Sequence, residues 1–509
     1  MKTDVIIVGA GPTGLSLACQ LIRYGVDFVI FDKNETTTPH SKAIGVQART
    51  LEIYEQIDLA DKLIEQGAIA EKARMIVGGK VRGEANFREF GKGMSAYPFI
   101  LMVEQGRHEK ILYDFIKANG KDVLWQTELE NFTRDESGVK ANVKNASGEI
   151  TTIEAKFLVG CDGAKSPVRH ALNLTFEGST FERMFYVADV EIDWKFSHDA
   201  GHAFLLKNNL LVFFPMTGER QWRIVGTFPE EFAKDEGDVL YEEIEVQIKQ
   251  DAELNFDITK VNWFSTYKVH TRRADKFSVG RCFLAGDSAH IHTPAGAQGM
   301  NTGIQDGYNL AWKMWTVLRG EGSEKILETY NAERLANAEN LLKTTDRFFN
   351  LAASPNLLLS FLRIYVFPSI AGLAFGIDAV KTFVFPRISQ IGINYRRSSL
   401  SDAQGNFSVN AGDRMPYFLV DGKSIYDRLR QPKFHLLVFS EGENDFQDLR
   451  NETETDSIDF NAVPLSPEVK KIFGTEKPFI VLLRPDNYIG LLSAEISLEK
   501  VKNYLGKFN

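Results

Sequence analysis

Cysteine is scarce: the 509-residue chain carries only Cys19, Cys161 and Cys282, spread too widely for metal-ligand spacing. A disulfide framework and a cysteine-held metal are therefore excluded, no metal is expected, and three reduced, mostly buried thiols in a cytoplasmic protein fit the pattern. A basic surface is also missing. The formal net charge of −9 speaks against nucleic acid or an anionic membrane as partner. The nearest approach to a membrane span, Leu357–Phe375, is interrupted by Arg363 and Pro368 and reads as a buried or interfacial helix pair. No signal peptide is expected, because glycines follow the short apolar run Val5–Val8 at once. Low-complexity tracts and internal repeats are absent as well. What is there is a globular composition, 44% hydrophobic and 25% charged, sufficient for two or three domains around a large core.

The opening reads strand, tight turn, helix, strand: Asp4–Val8, Gly9–Gly14, Leu15–Tyr24, then Asp27–Phe31 ending at Asp32. A helical stretch from Ala48 to about Gly67 precedes a turn-rich, β-like region at about 72–104. Helical sequence returns at Gln105–Asn119, and strands are expected around Asn142–Glu154 and Phe157–Gly160. From about Phe181 to Lys268 apolar and polar residues alternate, as in Leu210–Pro215 and Trp222–Thr227, the pattern of an inserted antiparallel sheet. The chain then gives a strand at Arg281–Ala285, a glycine-rich loop, a long helix through Leu318, and a further helix at Ile326–Phe349. Tyr395–Asn410 is polar and reads as a linker. Beyond it, Phe434–Phe439 and Phe479–Leu483 read as core strands of a separate α/β module.

Gly9-Ala-Gly-Pro-Thr-Gly14 fits the dinucleotide fingerprint and lies between a strand and a helix. Gly9 permits the tight turn, Gly11 lets backbone approach a pyrophosphate, and Gly14 lets helix and strand pack closely; Pro12 and Thr13 open the helix, whose N-terminus faces the phosphates. Asp32, followed by Lys33, stands 18 residues after Gly14, near the spacing of a ribose-binding carboxylate. A second glycine cluster separates FAD from NAD. The strand Arg281–Ala285 ends in Gly286-Asp287, and Pro294-Ala-Gly-Ala-Gln-Gly-Met-Asn301 enters a helix. An aspartate there can accept hydrogen bonds from a ribityl chain, and amides at the helix start can stabilise the negative charge of a reduced flavin.

With the segment Cys161-Asp-Gly-Ala-Lys-Ser-Pro-Val-Arg169, these motifs resemble those of the class A, single-component flavoprotein aromatic hydroxylases with the para-hydroxybenzoate hydroxylase fold, over residues 1 to about 345. The resemblance implies an α/β fold in which a Rossmann-like FAD-binding domain (1–180 and 276–395, with its β-rich segment) carries an inserted antiparallel β-sheet substrate domain (181–275). It implies that Asp162 and Gly163 serve both FAD and NAD(P)H, and that Arg169 lies near the pyrophosphate. Asp287 would bind the ribityl chain, while Gly299, Met300 and Asn301 would approach the isoalloxazine through backbone. Arg49 and Gln105 match positions that contact the flavin in relatives, and Arg49 and Pro294 are the flavin-adjacent candidates for the reaction itself. Residues 400–509 resemble the thioredoxin-like appendage of phenol and polyketide hydroxylases, chiefly through Leu483-Arg-Pro-Asp-Asn-Tyr-Ile489. That module has no cysteine, which excludes dithiol chemistry. A chain cut near Ser401 is then expected to keep FAD binding.

The resemblance implies a cycle in which NAD(P)H reduces FAD, O2 adds at the flavin C4a, and the hydroperoxide hydroxylates a phenolic or polycyclic aromatic substrate. No second dinucleotide fingerprint is present, consistent with a transiently bound coenzyme, and Gln221-Trp-Arg-Ile-Val225 is not the halogenase motif. A flavoprotein epoxidase, a ubiquinone-type hydroxylase and a flavin-bound protein that sequesters its ligand without turnover are the alternatives, and self-association into a homo-oligomer is left open. Phe204, Phe213, Phe214 and Met216 are candidates for an apolar substrate lining; His202, Tyr186 and His270 are conceivable phenol-deprotonating groups. The first prediction follows from the pyrophosphate turn and Asp32: the purified protein is yellow, and heat-released flavin chromatographs as FAD rather than FMN.

Overall fold

The computed structural model describes residues 1–39, 43–207, 209–228, 239–293, 298–353, 362, 364, 378–441 and 446–508. Its central layer is a six-stranded sheet in the order Ser278–Val279, Cys282–Leu284, Phe157–Gly160, Val5–Val8, Phe28–Phe31, Val123–Leu124. All neighbours are parallel except the Ser278–Val279 edge. Val5–Val8, Phe157–Gly160 and Cys282–Leu284 are apolar throughout because both faces of such a sheet are covered. Helices Pro12–Arg23 and Gly299–Leu318 cross at a seam of small residues, where a Cβ on Gly307 would stand 3.1 Å from Cβ of Leu17. The expected single helix after Ala48 is two, Ala48–Glu55 and Ala60–Glu65, separated at Asp58, whose φ is +56°.

An eight-stranded sheet forms the second layer: His290–Ile291, Asp257–Ala274, Phe176–Asp193, Gln221–Thr227, Leu210–Pro215, Ala200–Leu205, Lys72–Val77, Lys80–Asn86. It departs from the expected antiparallel insert in two ways. Two strands come from the 72–86 region, and Ala200–Leu205 pairs with Lys72–Val77 in parallel. Helix Tyr241–Ala252, unforeseen within the alternating stretch, packs Ile244 and Ile248 on one face of the sheet with Tyr186, Phe204, Phe213, Trp222 and Ile224. The other face is turned toward the dinucleotide layer, where Phe214 and Met216 join Ile44, Ala70 and Met102.

The C-terminal sheet runs Asp402–Gln404, Ile489–Ser493, Phe479–Leu483, Phe434–Ser440, Ile458–Pro464. The first of these strands corrects the reading of Tyr395–Asn410 as a linker: Asp402–Gln404 pairs in parallel with Leu491–Ser493, Tyr395 and Leu400 are buried, and Tyr395 donates its backbone N–H to Gly412. Alternation along the central strands divides their side chains. Leu437, Phe439, Val481 and Leu483 build a core within the module, whereas Phe434, Leu436, Val438, Ile480 and Leu482 continue the core of the dinucleotide layer beside Trp312 and Trp315. Leu357–Phe375 lies outside the described residues apart from 362 and 364. Among the described residues no helix is long and apolar enough to cross a membrane.

The two bodies are also joined by buried charge. Glu333, on helix Lys325–Ala353, receives Lys313 Nζ at 2.8 Å, Arg484 at 2.7 and 3.1 Å, Asn309 Nδ2 at 2.7 Å and Ser398 Oγ at 2.6 Å. Burial pushes its carboxyl up, but Arg484 and Lys313 outweigh burial and hold it far below the usual carboxylate range. Glu333→Ala would leave buried Lys313 without a carboxylate and Arg484 with Asp486 alone, and is expected to cost about 3–5 kcal/mol in urea unfolding. Removing residues from about Ser401 would strip Arg484 from Glu333 and bare the shared apolar core. Such a truncation is expected to yield aggregated or unfolded protein, against the sequence expectation, as soluble yield and far-UV circular dichroism would show.

Candidate active site and cofactor groove

The glycine turn is built as its motif requires. Gly9 has φ +102° and a Cβ there would stand 2.4 Å from the Cys161 carbonyl oxygen; one on Gly14 would stand 2.0 Å from the Gly9 carbonyl oxygen. Gly11, by contrast, faces open space, with no atom within 4 Å of where its Cβ would be. Pro12 begins the helix, where its missing N–H costs nothing. Asp32 is fixed beside this turn, accepting the amides of Ala10 at 2.7 Å and Asn34 at 2.9 Å, and Lys33 is exposed next to it. Gln105 starts helix Gln105–Ala118; its Nε2 donates to Glu109 at 2.8 Å and its Oε1 accepts the Ala43 amide at 3.4 Å.

A second turn follows strand Phe157–Gly160. Asp162 Oδ2 accepts the Val168 amide at 3.0 Å, while Oδ1 is buried with no partner among the described residues, and burial pushes this carboxyl above its usual range. Gly163 has φ +78° and open space on its Cβ side. Arg169 ties this turn to the next, donating to the Ala164 carbonyl at 2.8 Å and to that of Ser288 at 3.0 Å, with its guanidinium 3.9 Å over Phe176. Its Nε is buried without a partner among the described residues, and burial lowers its pKa.

The third element is the short 3₁₀ turn Gly286–Ser288, with Asp287 exposed at its apex. Asp306, which the sequence reading passed over inside a helix, braces this turn from beneath. It accepts the Gly286 amide at 2.9 Å, His290 Nε2 at 2.8 Å and Arg334 Nε at 2.6 Å. Asn301 does similar work from the start of the Gly299–Leu318 helix. Its side chain accepts the Gln47 amide at 2.9 Å and Thr50 Oγ1 at 2.7 Å, and donates to the Gly45 carbonyl at 2.9 Å. Gly299 keeps clearance from His292, whose Nε2 would lie 3.1 Å from a Cβ there, and Met300 is half-buried. Pro294 lies outside the described residues. Arg49 is 1% exposed and is engaged by the Asp486 carbonyl at 3.0 Å, by Glu52 at 3.2 Å, and by the rings of Tyr308 and Tyr488, leaving Nε without a partner among the described residues.

The eight-stranded sheet separates the substrate candidates by face. Phe204, Phe213 and Tyr186 belong to the outer core under helix Tyr241–Ala252, as does His202 between Trp194, Phe196 and Trp222. Burial pushes His202 down to about 4. His270 bonds Thr180 Oγ1 at 2.8 Å. Phe214 and Met216 lie on the inner face, with Val212, Val225, Trp263 and Tyr267, most of them half-exposed. Sequence reading missed the polar pair on this face. Arg223 binds Asp189 through two 2.7 Å bonds, is 1% exposed, and lies 5.6 Å from the Trp263 ring centroid. The alternation Trp222, Arg223, Ile224 held the signal, because a charge between two outward apolar residues points to the other face.

Residues 2–345 match the model of the FAD binding domain family. The chain belongs to this family of FAD-dependent monooxygenases. It is 32% identical to a flavin-dependent monooxygenase of Mycobacteroides abscessus, with 96% of this chain and 97% of the relative covered. It is 34% identical to 6-methylpretetramide 4-monooxygenase of Streptomyces rimosus over 69% of this chain and 63% of that protein. Among solved structures, the flavin-dependent monooxygenase PieE in complex with FAD and substrate superposes with a TM-score of 0.83 at 20% identity, covering 100% and 99% of the two chains, a likeness of fold. FAD fits the groove: Gly11 and Gly163 leave it open, and Asp162 Oδ1 and Arg169 Nε are buried polar atoms without partners among the described residues.

Asp287→Ala is expected to raise the FAD dissociation constant about tenfold, the scale of one charged hydrogen bond. Asp162→Ala is expected to leave it within about threefold on the same scale and mainly to slow reduction by NADPH. Flavin-fluorescence titration of apoprotein and anaerobic stopped-flow reduction check the pair.

Proposed function

We propose that this monooxygenase uses NAD(P)H and O2 to hydroxylate a phenolic or polycyclic aromatic compound held between the inner face of the eight-stranded sheet and the cofactor groove. The observation that carries the reading is the contrast between the faces: the outer one is sealed by a helix, and the inner one, rich in apolar and aromatic side chains, is half-open toward the cofactor segments. A flat, hydrophobic ligand suits such a surface. Bound FAD supplies the redox chemistry, taking reducing equivalents from NAD(P)H and activating O2 for transfer of one oxygen atom.

The chain's own residues supply placement. Gly9–Gly14 and Asp32 are assigned to the pyrophosphate and adenine-side ribose, Asp162, Gly163 and Arg169 to the region shared with the coenzyme, and Asp287 to the ribityl chain. The start of the Gly299–Leu318 helix is assigned to the flavin ring, whose negative charge its amides would stabilise. Arg223, buried and neutralised by Asp189, fixes the floor of the inner face rather than acting as a free cation. Three cysteines without disulfides support a cytoplasmic setting.

The deciding experiment is a screen of phenols and polycyclic aromatics for stimulated NADPH oxidation, with product mass raised by one oxygen atom. Ligands that bind without stimulating oxidation would support sequestration instead. The two faces give a sharper check. Phe214→Ala is expected to raise KM or uncouple NADPH oxidation while leaving FAD affinity unchanged. Phe213→Ala is expected to lower stability by about 3–5 kcal/mol in thermal or urea unfolding.

A further inference from the structure

The segment Arg484-Pro-Asp-Asn-Tyr488 of the C-terminal module is a tight turn in which Asn487 has φ +60° and Arg484 and Tyr488 are linked across it by an amide-to-carbonyl bond of 2.9 Å. Arg484, Asp486 and Asn487 are fully buried and Tyr488 is nearly so. An ordinary connecting turn would lie on the surface. This one is driven into the dinucleotide layer, where Asp486 accepts Trp312 Nε1 at 3.0 Å and Arg484 pairs with Glu333. Tyr24 also donates its hydroxyl to the Pro485 carbonyl at 3.3 Å.

The tip of the turn meets Arg49. The Asp486 carbonyl takes Arg49 Nη2 at 3.0 Å, and the Tyr488 ring lies 5.2 Å from the guanidinium carbon. Arg49 belongs to the segment Gly45–Thr50, whose other side is held by Asn301 through the three bonds to Gly45, Gln47 and Thr50. The segment is thus clamped between the helix start assigned to the flavin and a turn from another domain. Arg49 Nε, buried and with no partner among the described residues, is a donor awaiting an acceptor.

We propose that the Arg484–Tyr488 turn is a latch on the cofactor site: it positions Arg49 and the Gly45–Thr50 segment for FAD, so that the C-terminal module sets FAD affinity without touching FAD. Tyr488 is then a positioning residue. Its hydroxyl has no hydrogen-bond partner among the described residues, so Tyr488→Phe removes only an idle group, whereas Tyr488→Leu removes the ring beneath Arg49. Arg49→Met is a fair background, because Glu52 keeps Arg414 at 3.0 Å and Ser95 at 2.7 Å.

Apoprotein titrated with FAD is expected to show a dissociation constant about tenfold higher in Tyr488→Leu, the scale of a desolvated cation–π contact, and within about twofold of the parent in Tyr488→Phe. In the Arg49→Met background, Tyr488→Leu is expected to add less than about twofold, since coupled residues are not additive. A parent-like FAD affinity in Tyr488→Leu, whatever its melting temperature, overturns the latch, as does full additivity with Arg49→Met. Reciprocity supplies a test on the unaltered chain: if the latch favours FAD, FAD must stabilise the latch by the same free energy. Deuterium uptake in residues 483–489, followed until the apoprotein segment has exchanged, is expected to slow at least about threefold with FAD bound. Equal uptake with and without FAD overturns the proposal even if Tyr488→Leu does not fold.

Discussion

Thr13 is the residue at which three distant parts of the chain are held at one spacing. A Cβ on Gly286 would stand 2.4 Å from its Oγ1, and one on Gly303 would stand 2.3 Å away. The helix that opens at the pyrophosphate turn, the turn that carries Asp287 and the helix that starts at Gly299 therefore meet in a contact between small groups. Interiors are dense enough that a single added methyl there must displace an element. Since each of those elements carries one set of the residues proposed to hold the cofactor, the distances among those residues are fixed by packing before any hydrogen bond is counted. Asp306 then locks the arrangement, because one buried carboxylate holds the Gly286 amide, His290 and Arg334 together. Burial pushes that carboxyl up, and Arg334 and His290 more than reverse the effect, so it remains charged and its three donors remain bound.

The same logic extends across the junction with the C-terminal module. Glu333, Lys313, Arg484, Asp486, Glu52, Arg414 and Arg49 are all at most 9% exposed, or sealed entirely. Burying ion pairs contributes little net stability compared with apolar side chains of the same size, because desolvation offsets attraction. What they contribute is intolerance of misplacement. A sliding or tilted module would leave charges in the core without partners, at several kcal/mol each, whereas apolar surfaces alone would accept many poses. The module is seated on continuous core and registered by charge, and that makes it part of the flavin body rather than an appendage.

The parts of this design that were legible in the sequence are those whose signal is local. Gly9–Gly14 followed by Asp32 announces a dinucleotide turn because strand, turn, helix and carboxylate all lie within about thirty residues. The Gly286–Asp287 and Gly299–Asn301 cluster was equally readable as a tight turn and a helix start, which the structure has there. Asp306 and the side chain of Asn301 were not, because inside a helix an acid or amide looks like any solvent-facing residue until its neighbours across 16 to 256 positions are known. Tyr395–Asn410 misled for a related reason: its polarity suggested a linker, but its backbone is paired with Leu491–Ser493 and its tyrosine is buried against Tyr488. Composition reports side chains, and the strand is made by main-chain bonds. Helix Tyr241–Ala252 was hidden within an alternating stretch, which the period of the flanking strands dominates.

Alternation itself had the most to say about specificity and was the least readable alone, because a period of two defines faces without naming them. Phe213 and Phe214 are neighbours with opposite duties, one locked under helix Tyr241–Ala252 and the other turned toward Ile44 and Met102. The helix decides the matter: it seals one face, so the inward residues of Leu210–Pro215 and Gln221–Thr227 point to the side proposed for the substrate. On that proposal, stability and substrate choice fall to alternate residues of the same strands. Inner-face side chains such as Val212, Phe214 and Val225 are half-exposed and can change size or polarity with little penalty to folding, whereas the buried Arg223–Asp189 pair, the outer face and the cofactor segments stay fixed. A fold arranged this way keeps its redox chemistry constant and lets the aromatic compound it accepts drift, and that is why the cofactor is far easier to read from the chain than the substrate.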